Sequence, residues 1–235
     1  RAQRKANSAQ AEDVAARGGG RRRRAHALLE VGRRDGLAQR GEHLEPAQHR
    51  LEHAAHAVLP LLALAPLFAA QRGRLNWYCI DFWGKKLDLD IPRIKASYAH
   101  GIRWRPQAER FMQHLKASHL DVVMITNAHP LTLELKAERL PLAQWFDAMI
   151  SSHDYGTPKE TPAFWDRLMT ERPFDPERTL FVDDSEYVLE AAEAYGVTNL
   201  MTLKQPDSSV PPRQSTRYPA IHHFDEIFSG LPTLV

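Results

Sequence analysis

From residue 105 onward, the apolar positions of this 235-residue chain alternate between two spacings. Phe111, Met112 and Leu115 recur at helical intervals behind Pro106, which predicts a helix over 105–116. Asp121-Val-Val-Met-Ile125 is then an unbroken apolar run, the pattern of a strand covered on both faces of a parallel sheet. The exchange repeats with a strand over Ala148 to Ser152, a helix over Phe164 to Met169 and a strand over Thr179 to Val182. A helix from Glu186 to Tyr195, closed by Gly196, leads to a last strand over Thr198 to Leu203, and Ile221 to Phe228 reads as a short closing helix. Alternation of this kind predicts an α/β fold, three layers deep, with helices on both faces of a Rossmann-like parallel sheet.

Polar residues collect where the strands end, which is where open α/β sheets place their chemistry. One strand runs into Thr126-Asn127-Ala-His-Pro130, whose hydroxyl, amide and backbone N–H groups suit an anion, or alternatively cap the next helix. Another leads to Pro158-Lys159, a surface charge in isolation but a counter-ion if it meets a phosphate. The third ends in Asp183-Asp184-Ser185. Adjacent carboxylates repel and are costly to desolvate, so the pair needs a cation, a shared proton or open water; Mg²⁺ is the hard divalent ion that suits them. The plainer reading is that they polarise the following helix N-terminus.

Upstream the pattern changes. Residues 61–70 read as helix bent near Pro66, followed by the aromatic stretch Arg74-Leu-Asn-Trp-Tyr-Cys-Ile-Asp-Phe-Trp-Gly84. Helical spacing there groups Leu75, Tyr78, Cys79 and Phe82 as a packing layer, with Asn76, Trp77 and Asp81 as substrate-facing alternatives because nucleobases stack on aromatic rings. Before about residue 58 there is no Phe, Tyr, Trp, Ile, Met, Thr or Cys, so residues 1–58 lack what builds a core and read as a basic, solvated, disordered leader.

Charge sharpens that contrast. Arg1 to Pro60 hold twelve Lys and Arg against seven Asp and Glu, although the whole chain carries only +2. Arginines such as Arg21 to Arg24 could serve a nucleic acid, but no aromatic residue is interleaved to stack on bases, which argues against that partner. His49, His53 and His56 would share a helix face, without the carboxylate pattern that supports a metal site. A single cysteine, Cys79, fits a reducing compartment such as the cytoplasm. The longest apolar run, Ala57 to Ala70, is shorter than the ~20 residues of a spanning helix and contains two prolines, so no membrane partner is expected. Oligomeric state is not legible.

Taken together, the strand ending in Thr126-Asn127, then Pro158-Lys159, then Phe181-Val-Asp183-Asp184-Ser185 resemble motifs two, three and four of the haloacid dehalogenase superfamily. Leu75-Asn-Trp-Tyr-Cys-Ile-Asp-Phe-Trp83, Ile125-Thr-Asn-Ala-His-Pro130 and Leu180-Phe-Val-Asp-Asp-Ser-Glu186 are similar to its bacterial GMP/IMP nucleotidase branch. The resemblance implies a Mg²⁺-dependent phosphatase acting on purine nucleoside monophosphates through an aspartyl-phosphate. It assigns Thr126 and Asn127 to the phosphoryl oxygens, Lys159 to charge compensation and Asp184 with Asp183 to Mg²⁺, while Asn76 and Trp77 stay substrate candidates on their aromatic setting alone. Residues 59–100 would form a helical cap that excludes water, and 101–235 the catalytic core. Dehalogenase chemistry fits less well, since Lys159 with paired aspartates suits phosphoryl transfer.

One motif is not found. The family's first strand should end in Asp-x-Asp-Gly-Thr; Asp88-Leu-Asp90 has no apolar strand before it and no Gly-Thr behind, and Asp35-Gly36 follows Gly-Arg-Arg. The expectation is therefore a chain without its nucleophile and without its central first strand, inactive or nearly so and weakly stable, since two inner strand edges would stay unpaired. A non-catalytic phosphate-binding protein is the alternative. An Arg/Ala/Gly/His-rich opening that changes character abruptly is also what a GC-rich gene yields when read in the wrong frame.

Overall fold

The computed structural model describes residues 26–29, 64–207 and 210–230. Six strands form one parallel sheet: β1 (His26–Leu29), β2 (Asp121–Thr126), β3 (Ala148–Ser151), β4 (Thr179–Val182), β5 (Asn199–Leu203) and β6 (Ala220–Ile221), in the order β3-β2-β1-β4-β5-β6. The expected absence of a central strand is thereby corrected. β1 pairs on one side with β2, from His26 opposite Asp121 to Leu29 opposite Met124, and on the other with β4, from His26 opposite Thr179 to Leu29 opposite Val182. Each inner edge is thereby paired over four residues.

Each strand side chain alternates between the faces of the pleat. Val122 and Met124 join Phe111, Leu115, Phe224 and Ile227 in one core cluster, while Val123 and Ile125 join Phe164, Trp165, Leu168 and Phe181 in the other. The first cluster is completed by α3 (Ala108–Ala117) and α8 (Glu226–Gly230), the second by α6 (Pro162–Glu171) and α7 (Glu186–Tyr195). The three-layer Rossmann-like α/β expectation holds. Burying a large apolar side chain contributes roughly 1.5–3 kcal/mol, so the sheet's two faces carry most of the folding drive. α7 ends where Gly196 takes a φ of +116°, letting its N–H and that of Val197 reach the Ala192 carbonyl.

Ahead of α3, residues 64–69 are helical, Leu75–Trp77 form a 3₁₀ turn, and α1 (Ile80–Leu87) and α2 (Ile91–Ser97) follow. The continuous helix face expected from Leu75, Tyr78, Cys79 and Phe82 is not formed. Cys79 is instead the N-cap of α1, its sulfur accepting the Phe82 N–H, and the residues buried by α1 are Ile80 and Trp83. Asp88 and Asp90 have structural work: Asp88 closes α1 with a φ of +54°, and Asp90 accepts the Arg93 N–H to cap α2. The closing helix expected from Ile221 begins later, because Ala220 and Ile221 extend the sheet beside β5. α4 (Pro130–Ala137) and α5 (Ser152–Tyr155) complete the labelled helices, with short 3₁₀ turns at Ala99–Gly101, Leu142–Gln144 and Pro176–Arg178.

Candidate active site

The sheet order reverses direction around β1, and the candidate residues lie at the carboxyl ends of the strands beside it. Asn127 follows β2, Asp183 and Asp184 follow β4, and Lys159 enters from the loop between α5 and α6. These four share a cavity of about 650 Å³ with Trp77, Tyr78 and Arg213 on its wall.

Lys159 is the fixed point. Its ammonium donates to Asp183 Oδ2 at 2.6 Å and to the Ile125 carbonyl at 3.4 Å, and both members of the ion pair are 1% exposed. Its backbone is held as well: the N–H donates to Asn127 Oδ1 at 3.0 Å, and the carbonyl accepts Trp165 Nε1–H at 2.8 Å. A lysine gripped at three points loses little further freedom on meeting an anion.

Asp183 spends both carboxylate oxygens, Oδ2 on Lys159 and Oδ1 on the Ser185 N–H at 2.8 Å. Burial pushes its pKa up from the ordinary 3.8 and the Asp184 charge adds to the rise, while Lys159 and the Ser185 N–H oppose it. Asp184 is half-buried, and among the described residues no protein donor reaches its carboxylate; only its backbone carbonyl is used, by Arg213 Nη2 at 2.8 Å. An all-oxygen set with one unclaimed carboxylate beside a second fits a hard divalent cation.

Three residues were not found from sequence. Tyr78 donates its hydroxyl to one oxygen of Glu160, whose other oxygen accepts Asn127 Nδ2–H at 2.9 Å, so a polar chain runs from the aromatic segment to Asn127 and Lys159. Arg213, on the same cavity, keeps a buried Nη1 that has no partner among the described residues. Its position in an irregular, proline-rich tail carried no local signal. Of the predicted residues, Thr126 is buried with Oγ1 accepting the Ala128 N–H at 3.1 Å. Asn76 does not join the group: it is exposed, donates to Gln71 Oε1 at 3.2 Å and is not on the cavity wall. Trp77 is.

A parallel three-layer sheet with a lysine and carboxylates at its strand ends defines a Rossmann-like α/β class, and comparison with known proteins narrows it. A family model described as haloacid dehalogenase-like hydrolase matches residues 5–196, a span that takes in β1. The chain is 34% identical over 157 residues to the GMP/IMP nucleotidase YrfG of Escherichia coli (strain K12), covering 67% of this chain and 71% of that protein, and equally to its counterpart in Shigella flexneri. A solved haloacid dehalogenase-type phosphatase from Thermococcus onnurineus shares the fold, with a TM-score of 0.59 at 18% identity over 71% of this chain and 77% of that one. This chain belongs to the haloacid dehalogenase-like hydrolase family. No helix among the described residues is long and apolar enough to cross a membrane.

Proposed function

We propose that this chain is a Mg²⁺-dependent phosphatase of the cytoplasm whose substrates are purine nucleoside 5′-monophosphates of the GMP/IMP type. The observation that carries the reading is the buried Lys159–Asp183 pair at 2.6 Å, opening on a cavity that also holds the Asp184 carboxylate and the Trp77 and Tyr78 rings. Lys159 offsets phosphate charge, and the N–H groups after β2, with Thr126 and Asn127, hold phosphoryl oxygens. Arg213 Nη1 supplies a further donor for the anion. Asp184, with Asp183 beside it, would hold Mg²⁺, which when bound neutralises charge on the phosphoryl group. Trp77 and Tyr78 offer flat surfaces to the base, and similarity to the nucleotidases supports purines as that base.

The covalent aspartyl-phosphate route needs an aspartate at the end of the central strand, and this sequence lacks the Asp-x-Asp-Gly-Thr motif. Removing a covalent nucleophile leaves only the catalysis that binding and electrostatics provide, so slow turnover is expected. The same observation favours a second reading, a protein that binds the nucleotide without hydrolysing it. The full chain with GMP or IMP and Mg²⁺ tests both: phosphate release that disappears in Lys159→Met supports the enzyme, and calorimetric binding without release supports the binder. No binding and no release would overturn the proposal.

A further inference from the structure

The cluster with the most ligating power lies outside the phosphate cavity. Cys79 caps α1, His129 caps α4 in the loop behind β2, and His153 lies in α5 behind β3; their ligand atoms all fall within 4.8 Å of one another. We propose that Cys79, His129 and His153 form a binding site for a divalent transition metal of the zinc class, which fastens the aromatic segment to the two strand-end loops.

Ligand chemistry separates this site from the carboxylate pair. A thiolate with two imidazoles is a soft-to-borderline set that selects zinc or copper over magnesium, whereas Asp183 and Asp184 offer only hard oxygen. Metal bonds of about 2.0–2.3 Å place tetrahedral ligands roughly 3.5 Å apart, so small side-chain rotations close the trio on an ion. The fourth position falls to water or to Asp81, whose Oδ2 is 3.4 Å from His129 Nε2; ligation through Nε2 moves the His129 proton to Nδ1 and gives up its long 3.4 Å cap to the Leu131 N–H.

The hydrogen bonding around His153 leaves a nitrogen free for a metal. Ser151 Oγ–H donates to the Ala128 carbonyl at 2.7 Å, so the hydroxyl acts as an acceptor toward His153 Nδ1, 3.5 Å away. That arrangement favours the tautomer with its proton on Nδ1. Nε2 is then the lone-pair nitrogen, and it is buried with no hydrogen-bond partner among the described residues. A buried imidazole nitrogen without a partner is costly, and a metal ion would satisfy it. The two rings meet edge to face with centroids 4.9 Å apart, both beside Cys79.

The consequence is mechanical as well as chemical. Trp77 and Tyr78 immediately precede Cys79, and Ala128 on the cavity wall immediately precedes His129. An ion here ties the aromatic wall of the cavity to its floor.

The test uses the metal-free full chain titrated with Co²⁺ in excess Mg²⁺. One Co²⁺ per chain is expected to give a thiolate-to-cobalt charge-transfer band that Zn²⁺ bleaches. Cys79→Ser, which keeps an acceptor for the Phe82 N–H, should lose the band while circular dichroism is unchanged. His129→Ala and His153→Ala should each weaken binding by about 100-fold or more and abolish the rise in Tm on adding Zn²⁺. Asp184→Asn should leave the band intact, which separates this site from the proposed phosphatase centre. Absence of the band at one equivalent, or its persistence at full strength in the double histidine variant, would overturn the proposal.

Discussion

Replacing Lys159 with methionine keeps most of the side chain's bulk and removes its charge, stranding the Asp183 carboxylate at 1% exposure with only the Ser185 N–H for company. Losing one partner of a buried ion pair costs about 3–5 kcal/mol. The penalty depends on pH, and its sign follows from burial. The Asp183 carboxyl already sits above its ordinary 3.8, and removing the Lys159 charge, the main opposing influence, raises it further. Between the unfolded and folded values the folded chain holds a proton that the unfolded chain has released, so stability falls as pH climbs, by about 1.4 kcal/mol per pH unit. A 3–5 kcal/mol penalty therefore corresponds to a further rise of about 2–4 in the Asp183 pKa. Urea unfolding of the wild type and of Lys159→Met should show midpoints that converge at acid pH and separate as pH rises, reaching the full difference above the variant's folded value. Adding Asp183→Asn, which keeps an acceptor for Ser185 and needs no counter-ion, should recover about 2 kcal/mol or more. A difference below about 1 kcal/mol at every pH, or no recovery in the double variant, would refute the account of this pair.

Asp184→Asn should leave stability within about 0.5 kcal/mol, since no protein donor among the described residues depends on that carboxylate, while abolishing any rise in Tm on adding Mg²⁺; thermal scans with and without the ion decide it. Trp165→Phe removes the indole donor from the Lys159 carbonyl and should cost about 1–3 kcal/mol in urea unfolding, with weaker phosphate binding because the lysine loses one of its three restraints. Asp90→Ala removes the α2 cap and should cost about 1 kcal/mol with no change in nucleotide binding by calorimetry, as expected of an aspartate that has no part in the chemistry.

The strands that carry the site were legible because each advertises itself. β2 is an uninterrupted apolar run buried on both faces, and β4 ends in two aspartates that no core would tolerate uncompensated. β1 gave no such signal: Ala27, Leu28 and Leu29 are three apolar residues between a run of arginines and Glu30. What makes them a strand is pairing with β2 and β4, which four residues cannot announce. Asn76 and Trp77 looked equivalent on paper, but the 3₁₀ turn sends one to Gln71 and the other to the cavity. The Tyr78–Glu160–Asn127 chain was hidden for a different reason, since its members are brought together only by the fold, across 82 residues from Tyr78 to Glu160.

The central place of β1 has a kinetic side. His26 is the first of the described strand residues in chain order, yet its partners Asp121 and Thr179 lie far downstream, and the entropy of closing such loops must be met before any pairing rewards it. Parallel pairing over such distances raises contact order and slows folding. The two halves of the sheet can each collapse around their own helices while the slot between them stays empty, a half-assembled species that exposes sticky backbone to neighbouring chains. Yield in the cell would then be governed by how quickly four residues find their groove.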